Sequence, residues 1–226
     1  MSKDKLEAVI WDMDGVIADT AEYHYLAWKD TLARKGVDLT REHFMRLFGQ
    51  RPDTIVKDIL GDNVPPAEFN AINTAKQADF RRRATGHIRP MSGSVELIKS
   101  LYAHGIKQAI ASSAPPENIE VVIRGLSIED CFQAIAFGYE VPEGKPSPQI
   151  FLLAAKKLGA KPANCIVFED AIAGVDGAKS AGMKCVAVTN SHPGSKLKKA
   201  DLVVETLNGV SIDVLTALFR QSPTEK

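Results

Sequence analysis

Cysteine is scarce in this sequence: three residues, Cys131, Cys165 and Cys185, among 226. The count is odd, the spacing is wide and no metal-ligand pattern surrounds them, so reduced structural thiols of a cytoplasmic protein are expected. Net charge is missing too, with 28 Lys plus Arg against 28 Asp plus Glu. A chain without a global field attracts neither nucleic acid nor an anionic membrane, and any anionic ligand must be held by local positive charge. No apolar run approaches the ~18 residues of a membrane helix. No secretory signature opens the chain, because the apolar run from Ala8 to Trp11 ends at once in Asp12. Repeats, low-complexity tracts and coiled-coil heptads are also absent; the lack of a heptad, with the even charge, fits a monomer. Gln221 to Lys226 reads as a frayed tail.

What is present is ordinary globular composition, 45% apolar and 25% charged, in a chain long enough for one α/β domain or a core with one insertion. Short apolar runs recur at Ala8–Trp11, Ile106–Ala111, Ala134–Phe137, Cys165–Phe168, Cys185–Val188 and Leu202–Val204. Each has strand length and none alternates, as in strands buried on both faces of a parallel sheet. Helical patterns at Ser94–Ala103, Pro148–Leu158 and Ala171–Ala181 separate them, which predicts a doubly wound, Rossmann-like α/β sheet. Residues 20–87 break this rhythm with helical patterns alone: Ala21–Arg34, Arg41–Leu47, Asp53–Leu60 and Ala67–Arg83. One strand, then a block of helices, then the remaining strands implies a four-helix cap over residues 20–87, inserted into a core of 1–19 and 88–226. Such a cap would close over the carboxyl ends of the strands, where open α/β sheets bind ligands.

The chemistry-bearing residues stand at those strand ends. The first strand runs into Asp12-Met13-Asp14-Gly15. Two carboxylates so close together are costly to desolvate unless a cation neutralises them, although Asp-x-Asp-Gly is also ordinary turn chemistry. Ser112 and Ser113 follow the second core strand; they could bond a phosphoryl oxygen or cap the next helix. Lys145, between Gly144 and Pro146, could clamp a phosphate or be an inert surface lysine. Glu169-Asp170 ends another strand, either capping a helix or completing a magnesium site of oxygen ligands. A dinucleotide-binding oxidoreductase would instead want Gly-x-Gly-x-x-Gly after the first strand, where Asp12-Met13-Asp14-Gly15 stands. A non-catalytic binding protein would be expected to have lost at least one of Asp12, Asp14, Lys145 and Asp170.

Asp12-Met13-Asp14-Gly15-Val16, Ser112, Lys145 and Glu169-Asp170 together resemble the four motifs of the haloacid dehalogenase superfamily, over the whole chain. Asp19 to Trp28 further resembles the beta-phosphoglucomutase-like branch, also home to phosphatases. The resemblance implies a magnesium-dependent phosphotransferase acting on a small phosphorylated metabolite through an aspartyl-phosphate. Asp12 would be the nucleophile and Asp14 the general acid/base, with Ser112 and Lys145 holding the transferring group. Asp12, Asp14 through its carbonyl, and Asp170 would bind Mg2+, with Glu169 in support. Thr20 and His24 would place Asp14, and His24, Trp28, Gly49, Arg51, Arg82 and Ser113 would face the substrate.

Against the mutase pattern, the arginine that would grip a second phosphate falls on Pro52, with Arg51 one position away. The mutase's polar, basic run after Ser112 is Ala114-Pro115-Pro116-Glu117, and the cap lysine position is aligned with Arg82 inside Arg81-Arg82-Arg83, a triplet that also reads as a solvated helix face. A mutase asks for two cationic grips and the alignment offers one, around Lys145. Hydrolysis of sugar phosphates is therefore the expected activity. Interconversion of beta-glucose 1-phosphate and glucose 6-phosphate is the alternative.

Overall fold

The computed structural model describes residues 6–220, so the tail from Gln221 to Lys226 lies outside the described residues. Six strands form one wholly parallel sheet: β1 (Ala8–Trp11), β2 (Lys107–Ser112), β3 (Ala134–Phe137), β4 (Cys165–Glu169), β5 (Lys184–Val188) and β6 (Leu202–Val204). Their order is β3-β2-β1-β4-β5-β6. The chain winds outward from β1 in one direction and from β4 in the other, so the switch point lies between these two central strands.

Alternation along β1 explains its unbroken apolar run. Val9 and Trp11 join the core on one face of the sheet, while Ala8 and Ile10 join the core on the other. The first face is covered by α5 (Ser94–Ala103), α6 (Pro116–Gly125) and α9 (Ile212–Arg220), which contribute Leu97, Leu101, Ile119, Val122 and Leu215. The second is covered by α7 (Gln149–Leu158) and α8 (Ile172–Ser180), through Phe151, Ala154, Val175 and Ala178. The wide Trp11 indole stacks on Phe168 with ring centroids 4.3 Å apart. Its N–H donates to buried Gln108 at 3.0 Å, so the polar end is satisfied. Helix α9 adds an amphipathic element beyond those expected from sequence.

Between β1 and β2 stand the four helices of the cap: α1 (Ala21–Ala33), α2 (Arg41–Leu47), α3 (Pro52–Leu60) and α4 (Pro66–Ala84). They enclose a core of their own, including Tyr25, Trp28, Leu32, Phe44, Phe48, Ile55 and Ile72. In α4, Ile72, Lys76, Phe80 and Ala84 recur every fourth residue and form the buried face. The two chain crossings to the core lie side by side, where Asp19 N–H donates to the Arg89 carbonyl at 3.0 Å and Met91 N–H to that of Ile17 at 2.9 Å.

Candidate active site

At the switch point, the carboxyl ends of β1 and β4 bring Asp12 and Glu169-Asp170 together. Ligand oxygens of Asp12, Glu169 and Asp170 lie within 4.8 Å of one another, all buried. Lys145 arrives from the segment after β3. Its ammonium donates to Asp12 Oδ1 at 2.5 Å and to Glu169 Oε1 at 2.6 Å, with the side chain only 5% exposed. The second Glu169 oxygen accepts from the backbone N–H of Asp170 and Ala171, at 2.8 and 2.9 Å. Glu169 is thus tied to Lys145 and to the turn into α8. Asp170 accepts from the Ser191 hydroxyl. Gly15, at φ +83°, makes the turn after Asp14, and a β-carbon there would collide with the Asp170 carboxylate.

Charge in this cluster is unbalanced. Burial raises the Asp12 carboxyl above its ordinary range, aided by Glu169 and Asp14 and opposed by Lys145. Burial, then Glu169 and Asp12, push Asp170 up as well. Lys145 goes the other way: burial would lower it, but Asp12 and Glu169 outweigh that and hold its proton above the usual lysine value. One ammonium among three buried carboxylates leaves room for a divalent cation, and the donors, all hard oxygens, fit Mg2+.

Asp14 stands on the cap side. Its Oδ1 accepts from Thr20 at 2.5 Å and pairs with His24 Nε2 at 3.1 Å. His24 Nδ1 faces Lys76 Nζ at 2.7 Å. The chain is consistent with a neutral imidazole that donates from Nε2 to Asp14 and accepts at Nδ1 from the lysine. Burial and the neighbouring Lys76 both lower the His24 pKa, favouring that neutral form. Burial would raise Asp14, but His24, Thr20 and Lys76 outweigh it and hold the carboxylate below its ordinary value. Burial, with Arg81 beside it, pushes Lys76 down to about 7 against the pull of Asp14. The ammonium lies over the rings of Trp28 and Phe80, 5.3 and 5.4 Å from their centroids.

Asp14, His24, Trp28, Gly49, Gln50, Lys76, Gln77 and Ser113 are among the residues lining a pocket between cap and core. With the cap closed it encloses about 30 Å³, space for a water or two. A second cavity, of about 320 Å³, reaches Lys145 from the far side of Phe48-Gly49-Gln50. Ser112 is fully buried at the end of β2, where its hydroxyl accepts from Ala114 N–H at 3.1 Å. That is a local turn rather than a cap on α6, whose N-cap residue is Pro115. Ser113 donates to the Gly49 carbonyl at 2.9 Å and pins the cap loop to the core.

Two residues expected at the substrate are placed elsewhere. Arg82 is two positions beyond the inward-facing Phe80, hence on the outer side of α4; it is solvent-exposed and paired with Asp79. Arg51 lies at the seam, bonded to Asp53 and to the Val141 and Pro142 carbonyls, and does not line the pocket. The α4 side chain that brings a cation to the pocket is Lys76, six positions before Arg82. The four-residue phase of Ile72, Lys76, Phe80 and Ala84 was the signal that could have found it. Gln77, also at the pocket, accepts from Asn118 across the seam at 2.8 Å.

The haloacid dehalogenase-like hydrolase family matches residues 6–182. The chain belongs to this family. Beta-phosphoglucomutase of Bacillus subtilis is 36% identical over 225 residues, covering 96% of each chain. The fructose-1-phosphate phosphatase YqaB of Escherichia coli is 30% identical over 186 residues, 82% of this chain and 97% of its own. Among solved structures, a beta-phosphoglucomutase from Clostridium difficile aligns with a TM-score of 0.87 at 31% identity, over 95% of this chain and 97% of that one. As a haloacid dehalogenase-like hydrolase of this branch, the chain is an enzyme with the six-stranded core and helical cap expected from its motifs. No helix among the described residues is long and apolar enough to cross a membrane.

Proposed function

We propose that the protein is a cytoplasmic, magnesium-dependent phosphomonoesterase for small sugar phosphates, working through a phosphoryl group carried on Asp12. The observation that supports this most is the Lys145 ammonium held between Asp12 and Glu169, beside Asp170, in a site nearly closed to solvent. A carboxylate attacks a phosphate dianion only where that repulsion is cancelled. Lys145 contributes one charge. Asp12, the Asp14 carbonyl and Asp170 would hold Mg2+, which when bound supplies the remaining charge and orients the phosphoryl oxygens.

In the first step an Asp12 oxygen bonds to phosphorus as the bond from phosphorus to the sugar oxygen breaks, and Asp14 gives that oxygen a proton. In the second, Asp14 takes a proton from water as water attacks phosphorus, freeing Asp12 and releasing inorganic phosphate. The surroundings of Asp14 favour the carboxylate, the form needed for the second step. A phosphate dianion beside it favours the protonated form needed for the first. His24 and Thr20 would orient Asp14, and Ser112 would bond a phosphoryl oxygen. Residues 20–87 would act as the unit that opens to admit substrate and closes to exclude water, since the closed pocket is too small for a sugar phosphate. Magnesium-dependent phosphate release from a panel of sugar phosphates tests the reading. An enzyme that released none in magnesium, or released it equally in EDTA, would contradict it.

Lys76 favours a second reading, a phosphomutase. It places a cation in the cap side of the pocket, and the Bacillus subtilis relative carries that name.

A further inference from the structure

We propose that Arg51 is a positioning residue that fastens the closed cap onto the segment carrying Lys145, rather than a grip on substrate. The proposal rests on the reading of Lys145 as part of the phosphoryl site. From the N-terminus of α3, Arg51 Nη1 crosses to the core and donates to the Val141 and Pro142 carbonyls, both at 3.2 Å. Nε and Nη2 meet the two Asp53 oxygens at 3.2 and 2.9 Å. Every guanidinium nitrogen is therefore engaged, and the side chain is 13% exposed. No other group among the described residues donates to either carbonyl.

Gly144 provides an independent observation. Its backbone does not need glycine, since it has no positive φ. A β-carbon there would stand 2.6 Å from Arg51 Cδ and 3.2 Å from Cγ, so the missing side chain makes room for the arginine stem. Gly144 is the residue bonded to Lys145. The cap meets the same segment further back, where Asn73 donates to the Tyr139 hydroxyl at 3.2 Å and the Arg51 guanidinium lies 5.6 Å from the Tyr139 ring centroid. Opening the cap would break these contacts and leave two carbonyls to water. Lys145 must reach Asp12 and Glu169 together, a placement that tolerates little drift in the backbone that carries it. Closure of the cap and completion of the charged site would then be one event.

Acetyl phosphate provides the test, because it has no second phosphate for an arginine to hold. kcat and KM are measured in magnesium for wild type, Arg51→Ala, Gly144→Ala and the double variant, with thermal midpoints alongside. Each single change should lower kcat about tenfold or more, with a smaller effect on KM and little on the midpoint. The double variant should be no slower than Arg51→Ala, because the stem that a β-carbon at 144 would displace is gone. Arg51→Lys keeps the charge but not the fork, and should restore little. Wild-type kcat in Arg51→Ala on acetyl phosphate, with losses confined to substrates bearing a second phosphate, would make Arg51 a substrate grip and overturn the proposal. Additive losses in the double variant would overturn the coupling to Gly144. Amide exchange across residues 139–147 reads the latch without turnover and should quicken in both single variants. Unchanged exchange there rejects the latch even in an inactive enzyme, whereas an inactive wild type with quickened exchange in the variants rejects only the phosphomonoesterase reading.

Discussion

The Lys145 ammonium donates to the Asp12 carboxylate across 2.5 Å, from a side chain 5% exposed to one 7% exposed. The pair is one side of a cluster in which Glu169 and Asp170 are also buried, so Asp12 is held in surroundings that disfavour its charge. A residue selected for stability would not be a carboxylate here, which motivates the first prediction. Asp12→Asn should reduce turnover by about 10³-fold or more. It should leave the thermal midpoint unchanged or raised, because one of three crowded carboxylates is removed. Activity above a trace, or a midpoint several degrees lower, would reject Asp12 as the phosphoryl carrier.

Magnesium should stabilise the folded protein by mass action, whatever its substrate. At a concentration a hundred times its dissociation constant, the gain is about 2.7 kcal/mol, or roughly 5–10 °C for a chain of this size. Asp170→Asn should abolish that shift, and Ser191→Ala, which removes the hydroxyl donated to Asp170, should weaken it. Calorimetry with and without MgCl2 checks this independently of catalysis. An identical shift in Asp170→Asn would mean that the cation binds elsewhere.

The core of the site could be read in the sequence because its residues follow directly on strands. Asp12 and Glu169 are fixed by the apolar runs before them, and parallel strands bring their carboxyl ends to one edge. The cap face could not be read in the same way. There, which side chain meets the pocket depends on the rotation of α4 about its axis. Lys76 and Arg82 are six positions apart on α4, which turns one into the pocket and the other, about 120° around the axis, out to solvent. Arg51 was legible as a cap-loop cation, but its commitment to the Val141 and Pro142 carbonyls depends on a segment 90 residues away in sequence. Arg82→Ala should accordingly leave kcat and KM within about twofold of wild type for every substrate, as an exposed ion pair contributes about 1 kcal/mol or less.

Burial of Lys76 should appear in the pH dependence of stability. Its folded-state pKa is about 7, below the 10.5 of an ordinary lysine. Between those values the unfolded chain binds more protons than the folded one, so this lysine makes stability rise with pH from about 7 to about 10.5. The slope from one such group is at most about 1.4 kcal/mol per pH unit. Lys76→Met, which cannot titrate, should gain on wild type in relative stability at pH 7 and lose that advantage as pH rises to about 10. Denaturant melts of both proteins across this range give the comparison. A difference in stability that does not vary with pH would place the ammonium in contact with water.

The last prediction concerns the acceptor of the phosphoryl group. A mutase must return the phosphoryl group to a sugar phosphate that presents either end, so its pocket has to hold a second phosphate firmly while Asp12 carries the first. In this chain Arg51 is engaged at the seam, and the segment Ala114-Pro115-Pro116-Glu117 brings no cation. Lys76 remains, buried and already facing His24. Each missing charge-assisted contact weakens binding by about 1.5–3 kcal/mol, so two could cost a hundredfold or more in affinity. Water would then reach the phosphorylated Asp12 before a sugar phosphate could be held in place. Incubation with beta-glucose 1-phosphate and glucose 1,6-bisphosphate should therefore release free phosphate, with no stimulation by the bisphosphate. Glucose 6-phosphate formed faster than free phosphate would reverse the assignment and make Lys76 the second grip. Lys76→Ala separates the two readings further. Whatever rate is lost through His24 and Asp14, a hydrolase should keep free phosphate as its product in that variant, while a mutase should lose glucose 6-phosphate formation and divert its phosphoryl group to water.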